Sequence, residues 1–147
     1  MGRLAPVPAR LRRGFGGVLL RLLLDTHTLI WALIAPGRLS DLVRQLLMTP
    51  GNTPLVSAVS VYEIGQKHRL GKWPEAATFV ADVRGSMASI GALELPLAVE
   101  HARIAASSPW LHRDPFDRLL GAQALVERVP LVTRDPQFAR FGVETIW

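Results

Sequence analysis

Short runs of apolar residues alternate along the chain with segments whose apolar residues recur every three to four positions. The runs have the length and composition of buried strands, and the segments between them have the period of amphipathic helices. This alternation is typical of βα units in a parallel sheet. The predicted strands are VLLRLLL (18–24), TPLVSA (53–58), ALELP (92–96), PLVTRD (130–135) and the closing VETIW (143–147).

Six helices are predicted between these strands. Ser40 is expected to cap the second helix, and a Ser-x-x-Glu capping box that begins at Ser60 is expected to open the third. The predicted helices are THTLIWALI (26–34, ended by Pro36-Gly37), 39–48, 60–72, 75–91, 97–108 and 116–129, with a helical turn over 136–141. The pattern therefore predicts one α/β domain with a parallel sheet.

Acidic residues stand at the ends of several of these elements. Asp25 ends the aliphatic run in RLLLDTHTLIWAL, Glu63 lies early in the third helix, Asp114 and Asp117 begin the sixth helix, and Asp135 ends the penultimate strand. Ligands of open α/β sheets bind beyond the carboxyl ends of the strands, so these acids would lie at one rim. Clustered carboxylates repel one another unless a cation is bound, and oxygen ligands without cysteine suit Mg²⁺ or Mn²⁺.

Each acid also has a purely structural explanation. Asp25 and Asp114 are both suited to capping a helix. Glu63 could close the capping box with Ser60, and Asp135 could be a turn residue or a cap. Taken singly these roles are the commoner ones, whereas the acids together favour a metal site. Such a site can activate water for phosphodiester cleavage with one metal ion or two.

The positive charge of the chain is concentrated at its N-terminus. The net charge is +5 and the isoelectric point is about 11.0. Five arginines precede the first acid, which leaves 12 of the 17 Lys and Arg residues to balance 12 Asp and Glu residues in the remainder. We interpret 1–18 as a disordered basic arm and 19–147 as the domain. The arm could serve targeting or grip RNA, but the interpretation we favour is a start-site artefact, with the functional chain beginning near Val18 or Leu20.

Two features that the sequence lacks limit the class of protein it can belong to. The chain has no cysteine, which agrees with a cytoplasmic location. It has no apolar run of the roughly 18 residues that a membrane helix needs, so no membrane association is expected.

Several segments resemble PIN-domain proteins, specifically the VapC-type toxins of type II toxin–antitoxin modules. The matching segments are LLLDTHTLIWAL (22–33), VSAVSVYEIGQKHRLGKW (56–73), HRDPFDRLLGAQALVERVPLVTRD (112–135) and the closing FGVETIW. The resemblance covers residues 19–147. It implies a PIN-like three-layer α/β/α fold with a central, mostly parallel sheet of about four to five strands.

The resemblance also implies an activity and partners. It implies a Mg²⁺-dependent endoribonuclease, with Mn²⁺ as an alternative ion, that cuts structured RNA such as tRNA or rRNA and inhibits translation. A cognate VapB-type antitoxin would neutralise it, and the toxin would form a homodimer.

The resemblance assigns roles to individual residues. Asp25, Glu63, Asp117 and Asp135 would be the catalytic acids and metal ligands, and Asp114 would be a further ligand or a helix cap. Candidates for contacting substrate phosphates are His112, Arg113, Arg118 and the hydroxyl groups of Thr26 and Thr133.

Two further side chains near these motifs, and two rival functions, also carry expectations. His27 is expected to pack rather than bind metal. Of the four tryptophans, Trp110 is the one expected to approach the site. The rival to the nuclease is a catalytically inactive PIN-like module that binds RNA or protein. A haloacid dehalogenase-type phosphatase also begins with LLLD, but that family needs an Asp where this chain has His27.

Overall fold

The structure, a computed structural model, describes residues 19–147 and contains a five-stranded, fully parallel sheet with the strand order β3-β2-β1-β4-β5. This arrangement confirms the predicted parallel sheet and the PIN-like α/β/α fold. The strands are β1 (Arg21–Leu24), β2 (Thr53–Ser57), β3 (Leu93–Leu95), β4 (Leu131–Val132) and β5 (Thr145–Ile146).

Eight α-helices connect the strands in the described part of the chain. Two short 3₁₀-helices, Pro36–Arg38 and Pro74–Ala76, begin where prolines interrupt the helical pattern. The α-helices are α1 (Thr26–Ile34), α2 (Asp41–Met48), α3 (Ala58–Arg69), α4 (Ala77–Ala81), α5 (Val83–Ser89), α6 (Val99–Ser107), α7 (Pro115–Glu127) and α8 (Gln137–Arg140). None of the helices within residues 19–147 is long and apolar enough to cross a membrane.

The leucines of β1 form the centre of the domain. Leu22, Leu23 and Leu24 are all 0% exposed. Because successive side chains of a strand point to opposite faces, Leu22 and Leu24 belong to one apolar cluster and Leu23 belongs to the other. Fully burying one leucine contributes roughly 1.5–3 kcal/mol, so β1 is a rigid support for the residue that follows it.

Two predicted helices differ from the structure, the third in its start and the fourth in its continuity. The third helix begins at Ala58 and not at Ser60, because the Ser57 side chain accepts a hydrogen bond from the Val59 N–H and caps it. The predicted helix 75–91 is divided into a 3₁₀-turn, α4 and α5. The division lies at Asp82, whose side chain caps α5 by accepting from the Gly85 N–H at 2.9 Å.

The remaining predictions agree with the structure within a few residues. Ser40 caps α2 by accepting from the Val43 N–H, as expected. The sixth predicted helix is α7, and it ends where Arg128 adopts a left-handed conformation with φ of 54°. The predicted basic arm 1–18 lies outside the described residues and stays a prediction.

Candidate active site

One open cavity lies beyond the carboxyl ends of the three central strands. It has a volume of about 840 Å³, and all five predicted acids line it. Asp25 follows β1, Glu63 lies in the helix after β2, and Asp135 follows β4, so each of three adjacent strands delivers one carboxylate. Helix α7 supplies the other two acids from its first turn. The predicted acids are Asp25, Glu63, Asp114, Asp117 and Asp135.

Asp25 is both a helix cap and a cavity residue. Its backbone N–H donates to the carbonyl of Val132 at 3.1 Å, which joins it to β4. Its Oδ1 accepts from the Thr28 N–H at 2.7 Å and caps α1. Among the described residues no group donates to its Oδ2. The helix-cap role and the metal-ligand role of Asp25 are therefore compatible, since the cap uses only one oxygen of the carboxylate.

Glu63 is held on the inner side of α3. Its side chain is buried, and its Oε1 accepts from Lys67 Nζ at 2.8 Å. The capping box with Ser60 is absent, because Ser60 is buried and its Oγ accepts from the hydroxyl of Thr26 at 3.1 Å. This hydroxyl–hydroxyl contact joins the start of α1 to α3, and thereby sets the position of Asp25 relative to Glu63.

The two acids of α7 differ in their surroundings. Asp114 caps the helix, since its Oδ1 accepts from the N–H groups of Phe116 at 2.8 Å and Asp117 at 3.3 Å. Asp117 Oδ2 instead accepts from His112 Nε2 at 2.6 Å. Burial raises the pKa of Asp117, and the charges of Asp114 and Glu63 raise it further, while the His112 contact acts in the opposite direction.

Asp135 lies in a tight turn after β4. Its Oδ1 accepts from the Gln137 N–H at 2.9 Å, and its own N–H donates to Thr133 Oγ1 at 3.1 Å. Thr133 is buried and does not line the cavity. Thr26 does line the cavity, and its hydroxyl donates to Ser60 Oγ. Contact of either hydroxyl with a substrate phosphate stays a prediction.

Arg118 has a structural role and not the predicted contact with substrate phosphates. All five of its N–H groups donate to backbone carbonyls, namely those of Ala105, Ser108, Trp110 and His112. Its guanidinium thus joins the end of α6 to the following loop 108–112. No N–H remains for a phosphate, so the sequence-based interpretation of Arg118 is wrong.

The other predicted phosphate contacts lie beside the cavity and not in its lining. His112 is 20% exposed at its side chain and its Nε2 contacts Asp117 Oδ2, an arrangement that favours a role in orienting this acid. Arg113 is exposed and makes no hydrogen bond or ion pair within the described part of the chain. Neither residue belongs to the cavity lining.

The donor set has the chemistry of a site for a hard divalent cation. The carboxylates bring oxygen ligands only, as Mg²⁺ and Mn²⁺ prefer. Burial is the main cause of the raised pKa of Asp117, and the nearby charges of Asp114 and Glu63 add to it. Across residues 19–147, no three acidic or histidine side chains form a ready-made metal cluster in this conformation. In this conformation Glu63 contacts Lys67 and Asp117 contacts His112.

The cavity also contains residues that the motif analysis missed. Four cationic side chains line it, and they come from three separate regions of the sequence: Arg38, Lys67, Lys72 and Arg134. Trp31 and Trp73 line it as well, whereas Trp110 does not. Trp110 instead stacks on Phe141, with ring centroids 4.4 Å apart and an interplanar angle of 14°. Trp110 approaches the site only through His112, whose ring centroid lies 4.9 Å from its own. Helical periodicity in the sequence gave no signal that Trp31 and Trp73 line the cavity.

The sequence from β1 to the last turn before β5 is matched by a family model. The model is that of the PIN domain, and it covers residues 22–144. The chain belongs to the PIN domain family. No curated protein is significantly similar to this PIN-domain chain in sequence.

Solved structures of similar fold include ones described as VapBC, VapBC2 and FitAcB. DNA-bound VapBC from Salmonella typhimurium has a TM-score of 0.64 and 16% identity, covering 87% of this chain and 98% of that chain. VapBC2 from Rickettsia felis bound to a promoter DNA fragment has a TM-score of 0.62 and 14% identity, covering 86% and 98%. FitAcB from Neisseria gonorrhoeae has a TM-score of 0.60 and 20% identity, covering 86% and 96%. Likeness at these identities shows the shared fold.

Proposed function

We propose that this PIN-domain chain is a metal-dependent endoribonuclease and the toxin of a type II toxin–antitoxin module. Its substrate would be structured RNA such as tRNA or rRNA, and cleavage would stop translation in the cytoplasm. The observation that carries the proposal is the convergence of the five predicted acids, from three adjacent strand ends and the start of α7, on one cavity that also contains four cationic side chains.

The proposed ligands of Mg²⁺, or of Mn²⁺ in its place, are Asp25, Glu63 and Asp117, with Asp135 and Asp114 completing the acidic set. One ion or two would supply an activated water and stabilise the leaving oxygen of the phosphodiester. The free Oδ2 of Asp25 suits it to be the first ligand, because it can bind a cation without giving up the cap on α1.

The chain's own residues would prepare the site in a defined way. His112 Nε2 contacts Asp117 Oδ2 at 2.6 Å and would release that oxygen when Asp117 turns to a cation. Lys67 holds Glu63 at 2.8 Å and would contact a substrate phosphate once Glu63 is released. Asp114 would act chiefly as the helix cap that keeps Asp117 in its place, since its Oδ1 already accepts two N–H groups.

Partners are proposed from the same family relationship. A VapB-type antitoxin would neutralise the toxin by covering the acidic cavity, and two copies of the chain would form a homodimer. Support comes from the similar folds in structures described as VapBC and FitAcB.

A second candidate is an inactive PIN module that binds RNA or a protein without cutting. It is favoured by one observation, that Glu63 and Asp117 are engaged with Lys67 and His112 and not with each other. The two candidates make opposite predictions for metal-dependent cleavage.

The deciding experiment is an RNA cleavage assay with the purified full chain, with Mg²⁺ or with EDTA, followed by sequencing of the 5′ ends of the products. The matched variant is Asp25→Asn, because asparagine is as good a helix cap as aspartate and lacks its charge. We expect specific cleavage by the wild type with Mg²⁺, and none with EDTA or in Asp25→Asn. Equal cleavage by the variant would refute the proposed centre, and no cleavage by any form would favour the binding module.

A further inference from the structure

Beside the acids, the cavity contains an aromatic group built around His27. The His27 ring is exposed, and its centroid lies 5.0 Å from the ring of Trp73 and 5.6 Å from that of Trp31. Trp73 is 8% exposed and Trp31 is 9% exposed, so the exposed His27 ring packs on two buried tryptophan rings. His27 therefore presents an aromatic surface at the edge of the cavity on a rigid base.

Two cationic side chains cover the supporting tryptophans. The guanidinium carbon of Arg134 lies 4.8 Å from the centroid of a Trp31 ring, and Lys67 Nζ lies 5.6 Å from the centroid of a Trp73 ring. Both distances are within the range of cation–π contacts. Since Lys67 also contacts Glu63, the aromatic group is joined directly to the acids.

The remaining cationic side chains of the cavity are not neutralised by its acids. Within residues 19–147, Arg38, Lys72 and Arg134 form no ion pair or hydrogen bond, although five of the predicted acids line the same cavity. Only Lys67 is paired. Cationic groups kept apart from nearby carboxylates remain free to contact an anion from outside, and phosphate oxygens are the usual targets of such groups in nucleic-acid complexes.

We propose that His27 and Arg134 form a binding subsite for single-stranded nucleic acid, in which one base stacks on the His27 ring and Arg134, with Arg38 and Lys72, contacts the adjoining phosphates. Base stacking on aromatic side chains combined with phosphate contacts is the general way in which proteins hold unpaired strands. The subsite rests on the proposed function, and it adds that the nucleotide next to the cleaved bond is unpaired when bound.

The stacking role of His27 is separable from a charge effect by substitution. His27→Ala removes the ring, while His27→Phe restores an aromatic surface without a titrating group. The parent for every variant is the full chain with Asp25→Asn, kept in EDTA, so that binding is measured without cleavage. The ligand is a fluorescent six-nucleotide single-stranded RNA, and its binding is measured by fluorescence anisotropy. The same measurement is made with a DNA of the same sequence and with an abasic ribose-phosphate chain of equal length.

Loss of the ring should weaken binding of the RNA about fivefold or more, which corresponds to the stacking of one base, and His27→Phe should restore it. His27→Ala should leave the abasic chain unaffected. Arg134→Gln should weaken binding of all three ligands and reduce the salt slope of the affinity by about 0.7. Unequal affinity of the parent for RNA and DNA would show that the sugar is also recognised.

Arg84→Gln is the charge-matched control, because Arg84 is exposed and lies in a separate groove with Val83 and Met87. It should leave all affinities within twofold of the parent. Equal losses in Arg84→Gln and Arg134→Gln would overturn the subsite in favour of general charge attraction. RNA binding by His27→Ala within twofold of the parent would overturn the stacking contact. Because these measurements need no catalysis, the subsite can fail while RNA cleavage is confirmed, and the reverse also holds.

Discussion

Replacement of Arg118 by methionine should loosen the loop that carries His112. The side chain of Arg118 is part-buried and donates all five of its N–H groups to carbonyls at the end of α6 and in the loop 108–112. Methionine has a similar apolar stem and no donor. The variant therefore removes the hydrogen bonds and retains most of the packing.

The cost can be judged from the number of bonds and the exposure of their acceptors. A hydrogen bond to a charged group contributes about 1.5–3 kcal/mol, but carbonyls near the surface regain water when their donor is lost. With four carbonyls released, we expect Arg118→Met to lower the free energy of unfolding by about 3 kcal/mol. Arg118→Lys should recover a minor part of this, because an ammonium group has three donors and no planar fork.

Urea denaturation of the full chain in EDTA measures this change directly. The control is Arg113→Met, which alters an exposed arginine without a hydrogen bond or ion pair in the described part of the chain and should change the free energy of unfolding by less than about 0.5 kcal/mol. If Arg118→Met were as mild as the control, the assignment of Arg118 as the residue that fixes this loop would be refuted. A severe loss in both variants would point to overall charge.

Three other predictions concern the acids. Asp25→Ala should lower the free energy of unfolding by about 1 kcal/mol, because it removes the cap of α1. In the same urea denaturation, Asp25→Asn should stay within a few tenths of a kcal/mol of the wild type. Equal losses in the two variants would contradict the capping role. Asp117→Asn in EDTA should be more stable than the wild type at neutral pH. Because burial raises the pKa of Asp117, the folded chain holds its proton at pH values where the unfolded chain has released it, so wild-type stability is full at low pH and falls as the pH rises through the folded pKa. The stability advantage of Asp117→Asn should therefore vanish below about pH 3.8, the ordinary pKa of an aspartate. Urea titrations that show no such pH dependence would contradict this prediction. Saturating Mg²⁺ should raise the melting temperature of the wild type. At a free Mg²⁺ concentration a hundredfold above the dissociation constant, the folded state gains about 2.7 kcal/mol. A similar rise in Asp25→Asn would show that the ion binds elsewhere.

The strands and the acidic rim were predictable because both depend on local sequence. A run such as LLL before Asp25 is apolar on both faces, which identifies a buried parallel strand without knowledge of its neighbours. Since parallel strands end at the same rim, the position of an acid after its strand predicts its place in the fold.

The roles of the basic residues were not predictable because they depend on tertiary contacts. Nothing near Arg118 in the sequence indicates that the end of α6 passes beside it. Arg38 and Lys72 follow separate helices, and only the folded chain brings them to one cavity with Arg134. The division of the fourth predicted helix at Asp82 was missed for a local reason, since a single cap outweighed a continuous helical pattern.

The central claim is that carboxylates from the three central strands and from α7 hold one divalent-cation centre. Isothermal titration of the full chain with Mn²⁺ tests it most directly. Asp25→Asn, Glu63→Gln and Asp117→Asn should each lower the affinity by at least about tenfold, a loss of about 1.4 kcal/mol. Glu75→Gln, which alters an acid of the same cavity outside the predicted set, should change it less than twofold. Mn²⁺ affinity in Asp25→Asn equal to that of the wild type would contradict the account.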